Sequence, residues 1–289
     1  MARTNWQEYN EQLVVRGEFY INPKFLETWD KETSDLNKKK IGQPYKYPTS
    51  MFEFCALFHA RNFDYRTIEG LLRKLSELKI NFDVPVWSQI RRRILKLDLK
   101  FSQPNHREAM AIDGSGMKPG TRGEWLREKW KVKRGWIKVV LLGDINGNII
   151  DIVVGTETLS EPETARQLTE KHHDKISDLL LDGAHDTNET FEICKKHNIN
   201  PIIKIRSNAN PHGLNTRAQK VKYYQSMDHK SWVRETGYGY RWPASEGIFS
   251  SLKRVFGEIT LAKKVENQFF DVKLKFWAHQ RVLQLRQQA

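Results

Sequence analysis

Cysteine is scarce in this chain of 289 residues, where Cys55 and Cys194 are the two present and lie far apart in the sequence. No Cys-x-x-Cys pair occurs, which excludes a zinc ribbon, a disulfide framework and a thioredoxin-type redox site. No run approaches the ~20 apolar residues that a membrane helix needs, and residues 1–9 lack the apolar core of a secretion signal. We therefore expect a soluble cytoplasmic protein with no membrane partner.

Acidic residues are too few to balance the basic ones. The chain has 48 Lys and Arg against 35 Asp and Glu, which gives a formal net charge of +13 at pH 7. Such a charge does not determine the fold, but it favours polyanionic partners such as nucleic acid. Residues 117–138 contain eight basic residues and two Glu, and residues 201–222 contain five basic residues and no acid. In the first run we expect DNA contacts from Lys131, Lys133 and Arg134.

The chain before Pro104 is predicted to be helical. Residues 50–60 have a wide apolar face, and the next helix carries apolar side chains at i, i+3, i+4 and i+7 spacing from Ile68. Residues 87–97 form a basic amphipathic helix, and we expect three of its side chains to contact DNA: Arg91, Arg92 and Arg93. The order helix, turn, basic helix is that of a helix-turn-helix DNA reader, although an ordinary helical bundle with solvated arginines would give the same pattern. We assign residues 1–104 to this DNA-binding region.

The pattern after Pro104 changes to strands. Two β-rich runs flank Asn146-Gly147, which is a strong hairpin signal. The predicted order from there is strand, strand, strand, helix, strand, helix, strand, and then a loop and a late helix over residues 243–256. That is the order of a ribonuclease H-like fold, a mixed sheet covered by helices. We assign residues 105–289 to this α/β domain.

Three acids occupy special places in this predicted fold. Asp113 is predicted to end the first strand, Asp182 to end the later buried strand, and Glu246 to lie in the first turns of the late helix. The two strands are neighbours in a ribonuclease H-like sheet, so the three carboxylates are expected to meet. The glycine after each Asp would let the substrate backbone approach. Taken singly, an Asp followed by Gly could instead merely cap a turn.

Three converging carboxylates suit phosphodiester chemistry. Two magnesium ions about 3.5–4 Å apart can activate the attacking oxygen and stabilise the leaving one, and Mg²⁺ prefers oxygen ligands. We therefore expect Asp113, Asp182 and Glu246 to hold two Mg²⁺ ions, with Mn²⁺ as a substitute. Lys253 lies about two helical turns after Glu246 and shares its face, where it could bind a phosphate or simply be solvated.

Other titratable residues fit the chemistry less well. His172, His173 and His185 lack a companion at zinc-like spacing. His185 is expected to support Asp182 or to stand at the entry of the next helix, and Asp186 to cap the helix that begins at Thr187.

The region around Glu246 resembles the DDE transposases of bacterial and archaeal insertion sequences, and the resemblance covers nearly the whole chain. That family carries a Tyr-x2-Arg-x3-Glu-x6-Lys signature. Tyr238-x2-Arg241 and Glu246-x6-Lys253 match it, but four residues rather than three, Pro243 among them, separate Arg241 from Glu246. The segments 111–115 and 181–186 around the first two acids also match the style of the family.

The resemblance implies a function. The chain would bind double-stranded DNA at terminal inverted repeats, with Tyr238, Arg241 and Lys253 at the DNA, as a homo-oligomer associated with the nucleoid. It would cut the element ends and join the freed 3′-hydroxyl to target DNA. Two alternatives stay open: a catalytically silent, domesticated transposase that acts as a DNA-binding regulator, and a ribonuclease H-type nuclease that acts on RNA–DNA hybrids or structured DNA.

Overall fold

The computed structural model of the chain describes residues 23–80, 82–120 and 136–286, together with positions 5–7, 10, 11, 14, 17 and 20. The described residues divide into two compact units. The helical unit contains the residues up to 100, residues 255–257 and those from 261 onward. The sheet unit contains residues 101–254 and 258–260.

The elements of regular structure follow in chain order. The helices are α1 (Trp29–Asn37), α2 (Thr49–Ala60), α3 (Tyr65–Leu75), α4 (Trp87–Ile94), α5 (Glu161–Lys171), α6 (Asn188–Lys196), α7 (Thr216–Gln225), α8 (His229–Thr236), α9 (Gly247–Phe256) and α10 (Val265–Arg286). The strands are β1 (Glu108–Pro119), β2 (Ile137–Asp144), β3 (Ile149–Gly155), β4 (Ile176–Leu181), β5 (Asn200–Ile203) and β6 (Ile259–Thr260). None of the helices in the described ranges has the length and apolar character required to cross a bilayer.

The helices predicted in the first third of the chain are present. Asp64 caps α3, because its Oδ1 accepts two N–H groups of the first turn at 2.9 and 3.1 Å. Ile68 and Leu72 of the predicted stripe are buried, whereas Leu71 is 42% exposed. Helix α2 packs against α3, α4 and α10, so the C-terminal helix completes the core of the helical unit rather than extending the sheet unit.

The basic helix α4 uses its arginines in different ways. The guanidinium of Arg93 lies over the rings of Phe52 and Tyr45, with its Cζ 4.6 and 4.8 Å from their centroids. Arg92 is exposed and Arg91 is half-buried. Helix α3 continues as a π-helical turn to Ile80 and α4 begins at Trp87, so the connection is longer than the three or four residues of the helix-turn-helix motif. Because Arg92 is exposed and Arg91 is half-buried, both can still reach a ligand, whereas Arg93 packs against aromatic rings.

The sheet unit has the predicted mixed sheet, and its elements follow the predicted order as far as β5. Its strand order is β3-β2-β1-β4-β5, with β6 paired to the end of β1. Strand β2 runs antiparallel to β1 and β3, and β4 runs parallel to β1 and β5. In the β2–β3 hairpin, Oδ1 of Asp144 accepts the N–H groups of Asn146 and Asn148 at 2.9 and 2.8 Å. Gly147 adopts φ 83° there, a conformation that glycine reaches without steric cost.

The two faces of the sheet carry separate apolar clusters. Met110 and Ile112 of β1 belong to the larger cluster, which includes side chains of α5, α6 and α7. Ala111 belongs to a smaller cluster on the other face, with Trp232 of α8 and Ala244. Because successive side chains of a strand alternate between faces, Asp113 shares the face of Ala111.

Strand β1 corrects one detail of the sequence analysis. Asp113 does not end this strand, because the pairing with β2 continues as far as Met117 opposite Ile137. The parallel pairing with β4 stops earlier, at Ala111 opposite Leu180. Asp113 therefore lies just beyond the last residue of β1 that pairs with β4. The predicted convergence with Asp182 depends on that feature and not on the end of β1.

Candidate active site

The first acid is set in a partly buried position on β1. The Asp113 side chain is 16% exposed. Its Oδ1 accepts the N–H of Gly114 at 2.9 Å, and its Oδ2 accepts from Nη1 of Arg241 at 3.2 Å and from the Ser245 hydroxyl at 3.4 Å. Burial raises the pKa of Asp113, and the nearby charges of Glu161 and Asp182 raise it further, against the lowering effect of Arg241 and the Gly114 N–H.

The third acid reaches Asp113 through Arg241. The guanidinium donates to Oδ2 of Asp113 from Nη1 and to Oε1 of Glu246 from Nη2. Burial alone would lower the pKa of Arg241. The nearby Tyr238 and three carboxylates outweigh that effect and raise the pKa; the carboxylates are Asp113, Glu246 and Asp182. One cationic group therefore joins the first and third acids directly and responds to the charge of the second.

A π-helical turn accommodates the unusual spacing between Arg241 and Glu246. Residues Trp242–Glu246 form this turn, and the N–H of Gly247 donates to the carbonyl of Trp242, five residues earlier. A π turn holds one more residue than an α turn, so the four-residue gap does not carry Arg241 away from Glu246. Arg241 therefore keeps its contact with Glu246 despite the extra residue.

The second acid stands directly after β4, as predicted. Asp182 caps the short 3-10 turn Gly183–His185, with its Oδ1 accepting the N–H of Ala184 at 2.9 Å. Arg206 holds the same turn from outside, because it donates from Nε to the carbonyl of Gly183 at 2.6 Å and from Nη2 to that of Ala184 at 2.7 Å. The Asp182 side chain is 39% exposed, so it is fixed at its base and open at its carboxylate.

The segment after this turn contains a second correction. Asp186 does not cap α6; the cap is Thr187, whose hydroxyl accepts from the N–H of Thr190. Asp186 is buried instead and accepts two hydrogen bonds from Arg217, at 2.6 and 3.0 Å, and one from the N–H of Arg206 at 3.1 Å. Two arginines of the basic run 201–222 are thus used to build the loop of the second acid.

A fourth carboxylate lies beside the first acid, on the other face of β1. A Cβ at Gly114 would overlap the carboxylate of Glu161, which therefore occupies the space above that glycine. Glu161 also lies 3.3 Å from Nζ of Lys138 and 3.8 Å from Nε2 of His185. The interaction with His185 and the ion pair with Lys138 lower its pKa against the effect of burial. The sequence pattern does not single out Glu161 and places it only at the start of a helix.

Two further predicted residues line the same face of β1 as Asp113. Nζ of Lys253 donates to the Ser115 hydroxyl at 2.9 Å. Because this hydrogen-bond partner is neutral, the charge of Lys253 can act on a ligand. The ring centroid of Tyr238 lies 5.8 Å from the Arg241 guanidinium. Burial raises the pKa of Tyr238 to about 12, with Asp182 and Glu246 adding to the rise, so the phenol is protonated and can donate a hydrogen bond at neutral pH.

Some predicted DNA-binding residues cannot be placed. Lys131, Lys133 and Arg134 lie in residues 121–135, outside the described residues. The structure does bring Asp113, Glu246, Arg241 and Tyr238 into mutual contact or close electrostatic interaction, and it includes Asp182 in that interaction.

The residues at this site fit a divalent cation. Among the described residues, no group of three or more His, Cys, Asp and Glu side chains is already arranged to hold a metal ion. In this structure the Arg241 guanidinium pairs with both Asp113 and Glu246 and holds the first and third acids together. Carboxylate oxygens are the donors that Mg²⁺ and Mn²⁺ accept, so the donor set is suitable once Arg241 moves aside.

Comparison with known families supports the identification. A family model described as "Transposase DDE domain" matches residues 104–279, more than half of the chain, and a second model with the same description matches residues 14–121. No curated protein matches the sequence. The first match spans β1 with Asp113, the Asp182 turn and the Glu246 region. The chain therefore belongs to the DDE-domain transposases.

Proposed function

We propose that this transposase cleaves DNA strands at the ends of its own element and joins the freed 3′-hydroxyl to target DNA in a metal-dependent reaction. The observation that supports the proposal is that one guanidinium pairs with two acids from distant parts of the sequence and responds to the charge of a third. Asp113 and Glu246 are joined by Arg241, and the charge of Asp182 acts on both Asp113 and Arg241.

The three acids would hold the metal. Asp113, Asp182 and Glu246 would bind two Mg²⁺ ions, or Mn²⁺ in their place. When bound, such ions activate the attacking oxygen and stabilise the leaving oxygen of a phosphodiester. Arg241 must then give up its contacts to Asp113 and Glu246. Its planar fork of N–H donors suits a phosphate, so it can transfer to the DNA backbone beside the reacting phosphate.

Lys253 and Tyr238 would complete the phosphate-binding side of the site. Lys253 leaves its neutral Ser115 partner at little cost, since a solvated or phosphate-bound ammonium is better satisfied than one on a hydroxyl. Tyr238 donates its phenolic proton without ionising, because its pKa is about 12. Both residues position the DNA strand, and the carboxylates act at the phosphorus.

Cleavage and joining would be the same displacement used twice. In the first step, water attacks phosphorus, the bond to the 3′-oxygen breaks, and a 3′-hydroxyl is released. In the second, that 3′-hydroxyl attacks a phosphodiester of target DNA and displaces its 3′-oxygen. Each step exchanges one P–O bond for another, so neither an external energy source nor a covalent protein–DNA link is required.

The DNA partners would be the terminal inverted repeats and a target duplex. The basic helix α4, with Arg92 and Arg91 accessible, and the basic residues 117–138 would bind phosphates in a salt-dependent manner. We further propose a homo-oligomer on paired ends, since both ends must be cut and joined, and association with the nucleoid.

The test is a strand-cleavage assay on duplexes that carry the sequences flanking the reading frame. With Mg²⁺ or Mn²⁺, the protein should nick at the repeat ends, and Asp113→Asn, Asp182→Asn and Glu246→Gln should each abolish nicking while they retain binding to the repeat. Glu170→Gln, on the exposed side of α5, serves as the matched control. Nicking that persists in Asp113→Asn, or that needs no divalent ion, would contradict the proposal.

A further inference from the structure

His185 is a buried imidazole whose hydrogen bonds are not made. Its side chain is 1% exposed, and within the described residues neither ring nitrogen has a hydrogen-bond partner. A buried polar group without a partner costs free energy, and an apolar side chain of similar size would avoid that cost. The retained imidazole therefore calls for a functional explanation.

The position of the ring indicates what it serves. Nε2 of His185 lies 3.7 Å from Oδ1 of Asp182 and 3.8 Å from Oε1 of Glu161. Both distances are too long for a hydrogen bond, and they are nearly equal. The nitrogen thus stands midway between the second acid and the fourth carboxylate, and a shift of under 1 Å would close a hydrogen bond to either.

Glu161 is fixed firmly enough to act as one end of a bridge. It is the first residue of α5, where the helix dipole favours a negative charge. Lys138 pairs with it at 3.3 Å, and the absence of a side chain at Gly114 gives its carboxylate room against β1. Asp113 is the residue directly before Gly114 and lies on the opposite face of that strand, so Glu161 connects the His185 ring to the strand that carries the first acid.

Asp182 is the more exposed end of the same bridge, with its side chain 39% exposed against 20% for Glu161. Its Oδ1 already accepts the N–H of Ala184. Carboxylates that bind metal ions are themselves hydrogen-bonded, and loss of such outer partners typically reduces metal affinity 10- to 100-fold. Nε2 of His185, 3.7 Å from Oδ1 of Asp182, is placed to serve as such a partner.

We propose that His185 and Glu161 are positioning residues that fix Asp182 relative to Asp113, with the imidazole as a bridge between the Asp182 and Glu161 carboxylates. The inference deepens the proposed function and rests on it, because it assigns two further residues to the same metal-dependent site. Neither residue contacts the reacting atoms. Their effect is to hold the second acid in the one orientation in which it faces the first.

The test measures metal binding in the full-length protein without DNA. Free Mn²⁺ is titrated by its electron paramagnetic resonance signal for the wild type, Asp113→Asn, His185→Leu, His185→Gln, Glu161→Gln and the control Glu170→Gln. The unfolding temperature of each metal-free variant is recorded in parallel, and the Mn²⁺ dependence of nicking gives a second measure of affinity.

His185→Leu and Glu161→Gln should each weaken Mn²⁺ binding about tenfold. His185→Gln, whose amide nitrogen can replace Nε2 as the donor, should bind close to wild type. Without metal, His185→Leu should change the unfolding temperature little, since the loss of an unpartnered buried ring is offset by the loss of its favourable interaction with Glu161. Glu170→Gln, which removes surface ion pairs with Lys196 and His197, should leave the Mn²⁺ affinity unchanged.

Two results would overturn the inference alone. One is wild-type Mn²⁺ affinity in His185→Leu. The other is equal weakening in His185→Leu and His185→Gln together with a lower unfolding temperature of both metal-free proteins, which would indicate a purely structural role. If the wild type binds no Mn²⁺, or Asp113→Asn binds it unchanged, the proposed metal site itself fails and the inference falls with it.

Discussion

Gly143 offers a sharp test of how the third acid is held. This residue lies on β2, and a Cβ there would overlap the backbone carbonyl oxygen of Ala244 and lie 3.0 Å from Cδ1 of Ile248. Ala244 belongs to the π turn that separates Arg241 from Glu246. A backbone atom cannot rotate away as a flexible side chain can, so Gly143→Ala must move either the strand or the turn.

The magnitude follows from two opposing effects. Overpacking by one methyl group costs about 1–3 kcal/mol, and the smaller entropy of the unfolded alanine chain returns about 0.4–1 kcal/mol. Because the overlap is with a backbone atom, the overpacking cost lies toward its upper end, about 2–3 kcal/mol. We therefore expect Gly143→Ala to lose about 1–2.6 kcal/mol of unfolding free energy and to melt roughly 2–10 °C lower, at 2–4 °C per kcal/mol for a unit of this size. Since a misplacement near 1 Å can cost about 100-fold in rate, nicking should fall by at least that factor.

Gly70→Ala is the matched control for this experiment. Gly70 lies on the exposed side of α3, with nothing within 4 Å of an added Cβ. Alanine in a helix interior is favoured over glycine by about 0.8–1 kcal/mol, so this variant should melt slightly higher and nick normally. Differential scanning fluorimetry and the nicking assay measure both variants. An unchanged melting temperature and rate for Gly143→Ala would refute the close packing of the turn on β2.

Three further predictions address other parts of the sheet unit. Arg217→Met should destabilise the protein by about 3–5 kcal/mol, because it leaves the buried carboxylate of Asp186 without its main partner; urea denaturation measures this, and a loss below about 1 kcal/mol would argue against the pair. Asp151 has its pKa lowered to about 2, since His172 and Lys171 outweigh burial; its stabilising effect is complete above its unfolded pKa of about 4 and fades as the pH falls toward 2. Asp151→Asn should therefore flatten the loss of stability between pH 4 and pH 2, and an unaltered pH profile would contradict the assignment. Burial raises the pKa of the Cys194 thiol to about 12, so native protein should resist iodoacetamide at pH 8, and rapid labelling without denaturant would show that α6 opens.

The sequence was sufficient for the features that depend on local pattern. The apolar run before Asp182 predicted a buried strand that ends in a carboxylate, and Asn146-Gly147 predicted the hairpin, because each signal lies within a few residues. The order of strands and helices then determined the mixed sheet, which the structure confirms. With that topology, the neighbouring positions of β1 and β4 followed.

Features that depend on long-range pairing could not be read in this way. Glu161 lies beside the first acid only because α5 packs over Gly114 of β1. No sequence pattern near Glu161 predicts that contact. Arg206 and Arg217 were predicted to belong to a DNA-binding run, yet they hold the Asp182 loop through bonds to residues about 20–30 positions earlier. The charge of a basic residue in the sequence does not show whether it binds a DNA phosphate or pairs with a buried carboxylate.

Two helices were also absent from the prediction. The sequence pattern predicts a loop over residues 216–225 and 229–236, because their apolar residues are few and do not form a regular stripe. In the structure Asn215 and Asp228 cap them, with side-chain oxygens that accept N–H groups of the first turns, and Trp232 of α8 buries its ring against Tyr224 and Tyr238. Capping and a single large aromatic contact replace the periodic pattern there.

The most direct measurement of the central claim uses Fe²⁺ in place of Mg²⁺. With ascorbate and peroxide, bound Fe²⁺ generates hydroxyl radicals that cut the polypeptide near its ligands, and mass spectrometry locates the cuts. Our account predicts cuts at three segments distant in the sequence, around Asp113, Asp182 and Glu246, which Mg²⁺ suppresses by competition and Asp113→Asn removes. Cuts confined to one segment, or cuts that persist in Asp113→Asn, would contradict a shared metal site.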